Sequence, residues 1–207
     1  KVPIRINDIN KDLLKILQSC QDWRDFNVHC AALNFYVAKF LKKKKMSKLP
    51  VISGDFMNEF FADYETENIK NKKYYLTPKI NKKLKQRFFI SSLDSSSREI
   101  GVFNYFKIPL YQPYSVVYDL YLRLPKKIFN KKRSKYLINS NLLTTKLYKK
   151  VLMKKTRAQT GDSSGGIISY FDKLKLSQNN LEKIFDINFN VSKAWRKNFI
   201  TLGKYKT

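Results

Sequence analysis

Ser53-Gly54-Asp55 is the stretch best suited to chemistry. It follows an apolar pair, Val51 and Ile52, and precedes a run, 56–64, able to form a helical turn or two. A buried parallel strand that opens at its carboxyl end into a loop and helix reads this way. In open parallel α/β sheets, that end of a strand is where ligands bind. Asp55 would present a carboxylate there. Glu59, four residues on, is either a second site carboxylate or a helix-face partner for one of the many lysines. The plainer alternative is a Ser-Gly-Asp turn whose Asp caps a helix. Composition closes off other chemistries. His29 is the single histidine, so neither a histidine triad nor a zinc site built on a histidine pair can be assembled. It reads as a structural helix residue.

The charge balance bears on partners. Lys+Arg 42 against Asp+Glu 16 gives a formal charge of +26, a field that attracts polyanions. With aromatic residues at 14%, lysines on phosphates and Tyr or Phe on unpaired bases would suit RNA. The lysines are spread along the chain rather than gathered in one tail, so a compositional bias that merely solvates the surface fits equally well. Cys20 and Cys30 make no disulfide framework in 207 residues. Both lie in helical segments, where buried thiols are expected rather than a metal or redox pair. No apolar run approaches the ~20 residues of a membrane span, and the start has no signal-peptide pattern. A reducing compartment, cytoplasm or organellar matrix, is expected, with no secretion and no membrane partner. Lys1-Val2-Pro3-Ile4 carries no initiator Met and reads as a chain entered partway through.

The elements that must position these residues follow from periodicity. Val2, Ile4 and Ile6 alternate with polar neighbours, as in a short strand. Asn7-Asp8 supplies capping side chains ahead of an apolar helical stripe, Leu13, Leu14, Ile16 and Leu17. After a break near Gln21-Asp22, Val28, Ala31, Ala32, Phe35 and Ala38 recur at helical spacing. That helix runs into Lys42 to Lys45, whose charges suit a helix C-terminus. Pro50 then introduces the Val51-Ile52 strand, with a crossover long enough for a parallel pair. Beyond it the chain reads as mostly helical and irregular. Pro78 argues against one unbroken helix through the Lys- and Asn-rich segment 68–85. Helical stripes recur at Val116 to Leu124 and Leu142 to Leu152, with basic or polar loops at 126–135 and 154–166. One or two terminal helices carry Leu181, Ile184, Phe185 and Trp195. The expected class is α/β, mostly helical with a small parallel sheet, in a single domain over 1–207.

Ser-Gly-Asp-x-x-Asn-Glu-x-Phe-x-x-Tyr, at 53–64, resembles the Ser-Gly-(Asp/Glu)-Gly-x-Asp-Glu-x-Phe-Gly-Gly-Tyr signature of the asparagine synthetase family's synthetase domain. Flanking segments are similar in order and approximate spacing from the first residues almost to Gly203. Gln21 to Asn27 sits where the family has Asp-Glu-Pro-Phe-x-Asp-Pro-Ser. Leu93 to Val102 with Ile108-Pro109-Leu110 resembles its Asp-Arg-x-Ser-Met-x-x-Gly-x-Glu-x-Arg-x-Pro-Phe segment. Leu124-Pro125 falls on a family Leu-Pro, and Lys155-x-Arg157-x-Gln159-x-x-Asp162 resembles Arg-x-Lys-x-Gln-x-x-Asp-Gly.

The resemblance implies part of an adenine-nucleotide α-hydrolase-like fold, with ATP and Mg2+ as cofactors. Its chemistry is amide formation: a carboxylate attacks the α-phosphate of ATP, pyrophosphate leaves, and an amine attacks the acyl-adenylate. Asp55 would orient the amine, with Ser53 and Gly54 beside the substrate and Glu59 nearby. Arg24, Asp25 and Asn27 would face the substrate, although Asp25 equally suits a helix N-cap. Lys155, Arg157 and Asp162 would close over phosphates, or form one more solvated basic loop. Several positions depart from the pattern. Phe56 replaces a glycine, with the bulky Met57 beside it, Asn58 stands where the family has an Asp resembling a metal ligand, and Arg157 stands where it has a lysine. The family's Ser-Gly-Gly-x-Asp-Ser pyrophosphate loop is not in these residues, and Ser163-Ser164-Gly165-Gly166 has the wrong order. An upstream region or second chain bearing that loop is the partner this implies. Without it the chain is expected to be inactive. The alternative is a degenerate synthetase-like domain acting as an RNA-binding or ribonucleoprotein component.

Overall fold

The structure, a computed structural model, describes residues 2–55, 65–69, 72–76, 97–116 and 165–189. The chain divides into two compact units. The first comprises Lys1–Val51, Lys83–Leu110 and Thr156–Thr207; the second comprises Ile52–Lys82 and Tyr111–Lys155. The described residues are mostly helical with a small parallel sheet, as composition and periodicity indicate, and an antiparallel hairpin is added.

The first unit opens with α1 (Ile6–Cys20) and α2 (Asp25–Lys43). The strand expected over Val2–Ile6 is not formed: residues 2–5 have no regular structure, and Ile6 already belongs to α1. Asp8 explains the early start. Its carboxylate accepts the Arg5 N–H at 3.2 Å, and its own N–H donates to the Arg5 carbonyl at 3.0 Å. An acid at the third helical position therefore closes the helix from inside, one turn before an Asn7-Asp8 cap would. Val2 and Ile4 still pack against the core, so their alternation reflects burial without strand pairing.

Ile9, Leu13, Ile16, Leu17 and Cys20 line the inner face of α1, opposite Val28, Ala31, Ala32, Phe35 and Ala38 of α2. Three alanines in that stripe leave room for a close helix approach, and each buried large apolar side chain stabilises the unit by about 1.5–3 kcal/mol. A π-helical turn, Ser97–Gly101, leads into α3 (Val102–Tyr105), and both pack on α1 and α2. Asn34 ties α2 to that turn by donating to the Arg98 carbonyl at 3.0 Å. Later in the chain, α5 (Gly166–Lys173) buries Ile167 and Phe171, and α6 (Gln178–Asn188) buries Leu181 and Phe185. Of the expected terminal helices, α6 is present and Trp195 lies outside the described residues; α5 falls where a polar loop was expected to end.

The strand after Pro50 is present as β1 (Val51–Ile52), but its partner is different from the one expected. Val51 N–H donates to the Pro109 carbonyl at 2.8 Å, and Ser53 N–H to the Tyr111 carbonyl at 2.9 Å. Both chains advance together, so β1 and β4 (Leu110–Tyr111) run parallel. Nor is β1 buried as a whole. Val51 packs against the first unit's core, whereas Ile52 is 74% exposed.

In the second unit, β2 (Glu65–Ile69) and β3 (Lys72–Leu76) form an antiparallel hairpin, Glu65 opposite Leu76 and Ile69 opposite Lys72. This corrects the helical and irregular reading of the segment. Thr66, Ile69, Tyr74 and Tyr75 favour strands, and two intervening residues are a common hairpin length. A short helix, α4 (Pro113–Val116), begins the stripe expected to continue to Leu124. The rest of that stripe, the 142–152 stripe and the 126–135 loop lie outside the described residues. No helix among the described residues is long and apolar enough to cross a membrane.

One contact fixes how closely the π-helical turn approaches α1. A Cβ on Gly101 would lie 2.4 Å from the Ser19 carbonyl oxygen, inside any real contact and against backbone. Gly101→Ala should therefore lower the unfolding free energy by about 1–3 kcal/mol, the usual cost of overpacking. Urea denaturation would measure it, and an unchanged midpoint would contradict the close approach.

Candidate functional site

The loop after β1 is held from two sides. Ser53 N–H is bound to β4, and Ser53 Oγ accepts the Asp55 N–H at 3.0 Å. This is the hydroxyl-capped turn that Ser-Gly-Asp favours. Gly54 is exposed, its φ is not left-handed, and no atom of the described residues lies within 4 Å of where a Cβ would sit. Neither strain nor crowding by the described fold requires glycine there. Asp55 is half-buried at the tip of the turn. Ser53, Gly54 and Asp55 thus stand together beyond the carboxyl end of a parallel strand.

Arg24, Asp25 and Asn27 lie where the connector from α1 enters α2, Arg24 as the N-cap and the other two in the first turn. Gln21 ends α1 in the left-handed conformation at φ 49°, its N–H returning to the Leu17 carbonyl at 2.8 Å. The next residue, Asp22, is 1% exposed. Its carboxylate accepts the Arg24 backbone N–H at 2.8 Å, Arg24 Nη2 at 2.8 Å, Arg24 Nε at 3.1 Å and Asn27 Nδ2 at 2.6 Å. Arg24 and Asn27 therefore point donors inward, onto a protein carboxylate. Asp25 is exposed at the first helical position of α2, one residue past the N-cap Arg24, where its charge complements the helix dipole. Asp22 went unremarked in the sequence because no single residue type marks it. The Asp-x-Arg-x-x-Asn spacing ahead of a helix was the available signal.

A second buried carboxylate, Asp12, bridges the two helices. It pairs with Lys39 of α2 and, at 3.8 Å, with Lys15. Beside it, burial drives the Tyr36 hydroxyl pKa above its ordinary value, and the Asp12 and Asp8 charges add to the shift. His29 is buried edge-on to Phe171, ring centroids 4.6 Å apart, and its Nε2 has no hydrogen-bond partner among the described residues. Burial lowers its pKa below the ordinary 6.5, against the opposing pull of Asp25 and Asp172. It is a core residue of α2, as expected. Cys20 is buried, its thiol pushed far up by desolvation, and Cys30 is partly buried.

Asn58, Glu59, Lys155, Arg157 and Asp162 lie outside the described residues. Among the described residues no three His, Cys, Asp or Glu side chains come together as a metal site. No family model matches the chain, and no curated protein or solved structure matches it either.

Two outcomes follow from this geometry. Asp22→Ala removes the buried carboxylate on which Arg24 and Asn27 converge and should cost about 3–5 kcal/mol, as for a broken buried pair. Asp25→Ala, on the surface, should cost no more than about 1 kcal/mol. Equal shifts in denaturation midpoint would contradict the buried clamp. His29 binds a proton more weakly folded than unfolded, so its contribution is intact above pH 6.5 and is lost as pH falls below it. One proton limits that slope to about 1.4 kcal/mol per pH unit. Melting at pH 7.5 and 5.5 should show a larger loss for the native chain than for His29→Phe.

Proposed function

We propose that the chain is the later portion of an asparagine-synthetase-like, ATP-dependent amide-forming ligase. The observation that carries this reading is the β1–β4 pairing. Two segments that resemble the family separately, the one ending in Ser53-Gly54-Asp55 and the one containing Ile108-Pro109-Leu110, are hydrogen-bonded side by side as parallel strands. They lie over fifty residues apart in sequence, so local composition does not bring them together.

On this reading the substrate binds where the paired strands end. The Ser53 hydroxyl fixes the backbone course at Asp55, which keeps that carboxylate at the strand's tip rather than free to swing. Asp55 then accepts hydrogen bonds from the incoming amine and orients it toward the activated carbonyl. Gly54 admits a ligand's close approach, since no side chain among the described residues fills the space above it. The Asp22 clamp belongs to the scaffold, holding α1 and α2 in place. ATP, when bound, supplies the adenylyl group that activates the substrate carboxylate. By resemblance, Lys155, Arg157 and Asp162 are the candidates for binding its phosphates, Asn58 would weaken any magnesium site and Glu59 remains a candidate carboxylate. The pyrophosphate loop comes from an upstream region or a second chain.

Pyrophosphate release with ATP, Mg2+ and aspartate tests the reading. The 207-residue chain alone should release none. The chain joined to, or mixed with, a polypeptide carrying a Ser-Gly-Gly-x-Asp-Ser loop should release it. Asp55→Asn and Gly54→Ala should each cut that release at least tenfold, while Gly54→Ala leaves the melting temperature unchanged or slightly higher. Release by the chain alone, or full activity in both variants, would refute the proposal.

A further inference from the structure

The end of α2 and the turn after α3 form one surface within the first unit. Lys42, Lys43, Lys44, Lys45 and Lys48 are all exposed there, and Lys107 is exposed on the neighbouring turn. Phe106 joins the two parts: the Lys42 ammonium lies 5.9 Å from its ring centroid, and Lys107 follows it in the chain. Tyr105, 40% exposed, sits with its ring 5.2 Å from Phe106, which holds it upright against the core. A second contact with Phe35, at 6.2 Å, fixes the ring further.

Two features distinguish this surface from an ordinary solvated lysine face. Residues 39–50 and 100–116 contain no Asp or Glu, so neither contributing segment supplies a countercharge. Lys39 and Lys15, by contrast, are drawn onto Asp12. The other feature is the ring. Single-stranded nucleic acid is held by cations that track phosphates and by an aromatic face on which a base stacks, and Tyr105 stands exposed and braced among the cations. Two of them are also locked in place. Lys45 and Lys107 occupy left-handed positions at φ 58° and 56°, each closing a helix end with hydrogen bonds from its own N–H and from the next residue's.

The geometry points to a single-stranded polynucleotide site on this surface, with Lys42, Lys45 and Lys107 on phosphates and Tyr105 stacked on a base. It is independent of the amide-forming reading, since it uses neither Asp55 nor ATP. The lysines supply affinity without sequence preference, and the ring selects unpaired bases over duplex.

Fluorescence anisotropy with a labelled 12-nucleotide oligouridine and a 12-base-pair duplex tests the site. A triple variant, Lys42→Gln, Lys45→Gln and Lys107→Gln, should bind the oligouridine at least tenfold more weakly at moderate salt. Three lost phosphate contacts should also reduce the slope of log affinity on log salt by about 2. A control triple with the same charge loss, Lys11→Gln, Lys173→Gln and Lys183→Gln, should lose less than about threefold, in keeping with a diffuse effect of net charge. Tyr105→Ala should weaken oligouridine binding about tenfold, the scale of one stacked base, and leave duplex binding unchanged. Tyr105→Phe should bind like the native chain, separating stacking from any loss of fold. Equal losses in the two triple variants would reduce the site to a general electrostatic field. Equal loss of single strand and duplex in Tyr105→Ala, or no loss of either, would overturn the stacking role.

Discussion

A carboxylate held out of water at Asp22 determines how the first unit is put together. An ion there is tolerable only if its oxygens are saturated with donors, and two nearby residues, one at the N-cap of α2 and one in its first turn, supply them. Arg24 gives its backbone N–H and its guanidinium, and Asn27 its amide. To bring these onto one carboxylate, the chain must leave α1 through a left-handed Gln21 and enter α2 almost at once. That turn brings the buried faces of the two helices together. Their shared face then offers the ground on which the π-helical turn, α3, α5 and α6 pack. Trp23, between the acid and its arginine, extends the connector's reach by packing on Phe185 of α6, ring centroids 5.3 Å apart. One connector thus joins elements from the beginning and the end of the chain.

The helices were legible in the sequence because their burial is periodic and local. The stripe from Val28 to Ala38 is buried as written, and so is Leu13, Ile16 and Leu17 in α1; only Leu14 turns outward. Helix ends were harder to place, for a physical reason. A left-handed residue closing a helix is usually glycine, yet here lysine takes the position three times, at Lys45, Lys107 and Lys175, with φ between 54° and 58°. The following residues, Met46, Ile108 and Leu176, return their N–H groups to carbonyls five residues back, as in the Schellman motif. The stop signal is therefore made by geometry and an apolar follower rather than by glycine, and a reader waiting for glycine misses it.

Strands were less legible because pairing is not local. Val2, Ile4 and Ile6 have the alternation of a strand but no partner edge, so the backbone turns to helix as soon as Asp8 offers a cap. Val51 and Ile52 have too little pattern to name a partner, and the true one lies beyond residue 100. Pro109 and Pro113 flank that partner and make it look like a loop. Proline tolerates such a place because it serves only as an acceptor: the Pro109 carbonyl takes the Val51 N–H, and no N–H is required from Pro109. In the hairpin, lysine and asparagine occupy positions that strands commonly give to β-branched residues. Of the candidate site, the turn at Ser53 to Asp55 was visible because Ser-Gly-Asp is local. The role of Arg24 and Asn27 was hidden because it depends on which way a neighbouring carboxylate faces.

The same two carboxylates bear on the charge of the surface. With 42 cationic and 16 acidic side chains, each acid turned inward removes a countercharge from the outside. Asp12 and Asp22 are both turned inward, 5% and 1% exposed, and each neutralises cations at helix contacts instead of on the surface. The excess positive charge is then left to face solvent, and mutual repulsion among lysines opposes compactness. The fold answers this by placing lysines where the backbone is negative. Lys42 and Lys43 lie in the last turn of α2 and Lys173 in that of α5, beside carbonyls that carry the negative end of the helix dipole. Such carbonyls offset part of a charge without giving the lysine a partner it must release before meeting an anion. The charge at these helix ends therefore stays on the exposed surface of the first unit.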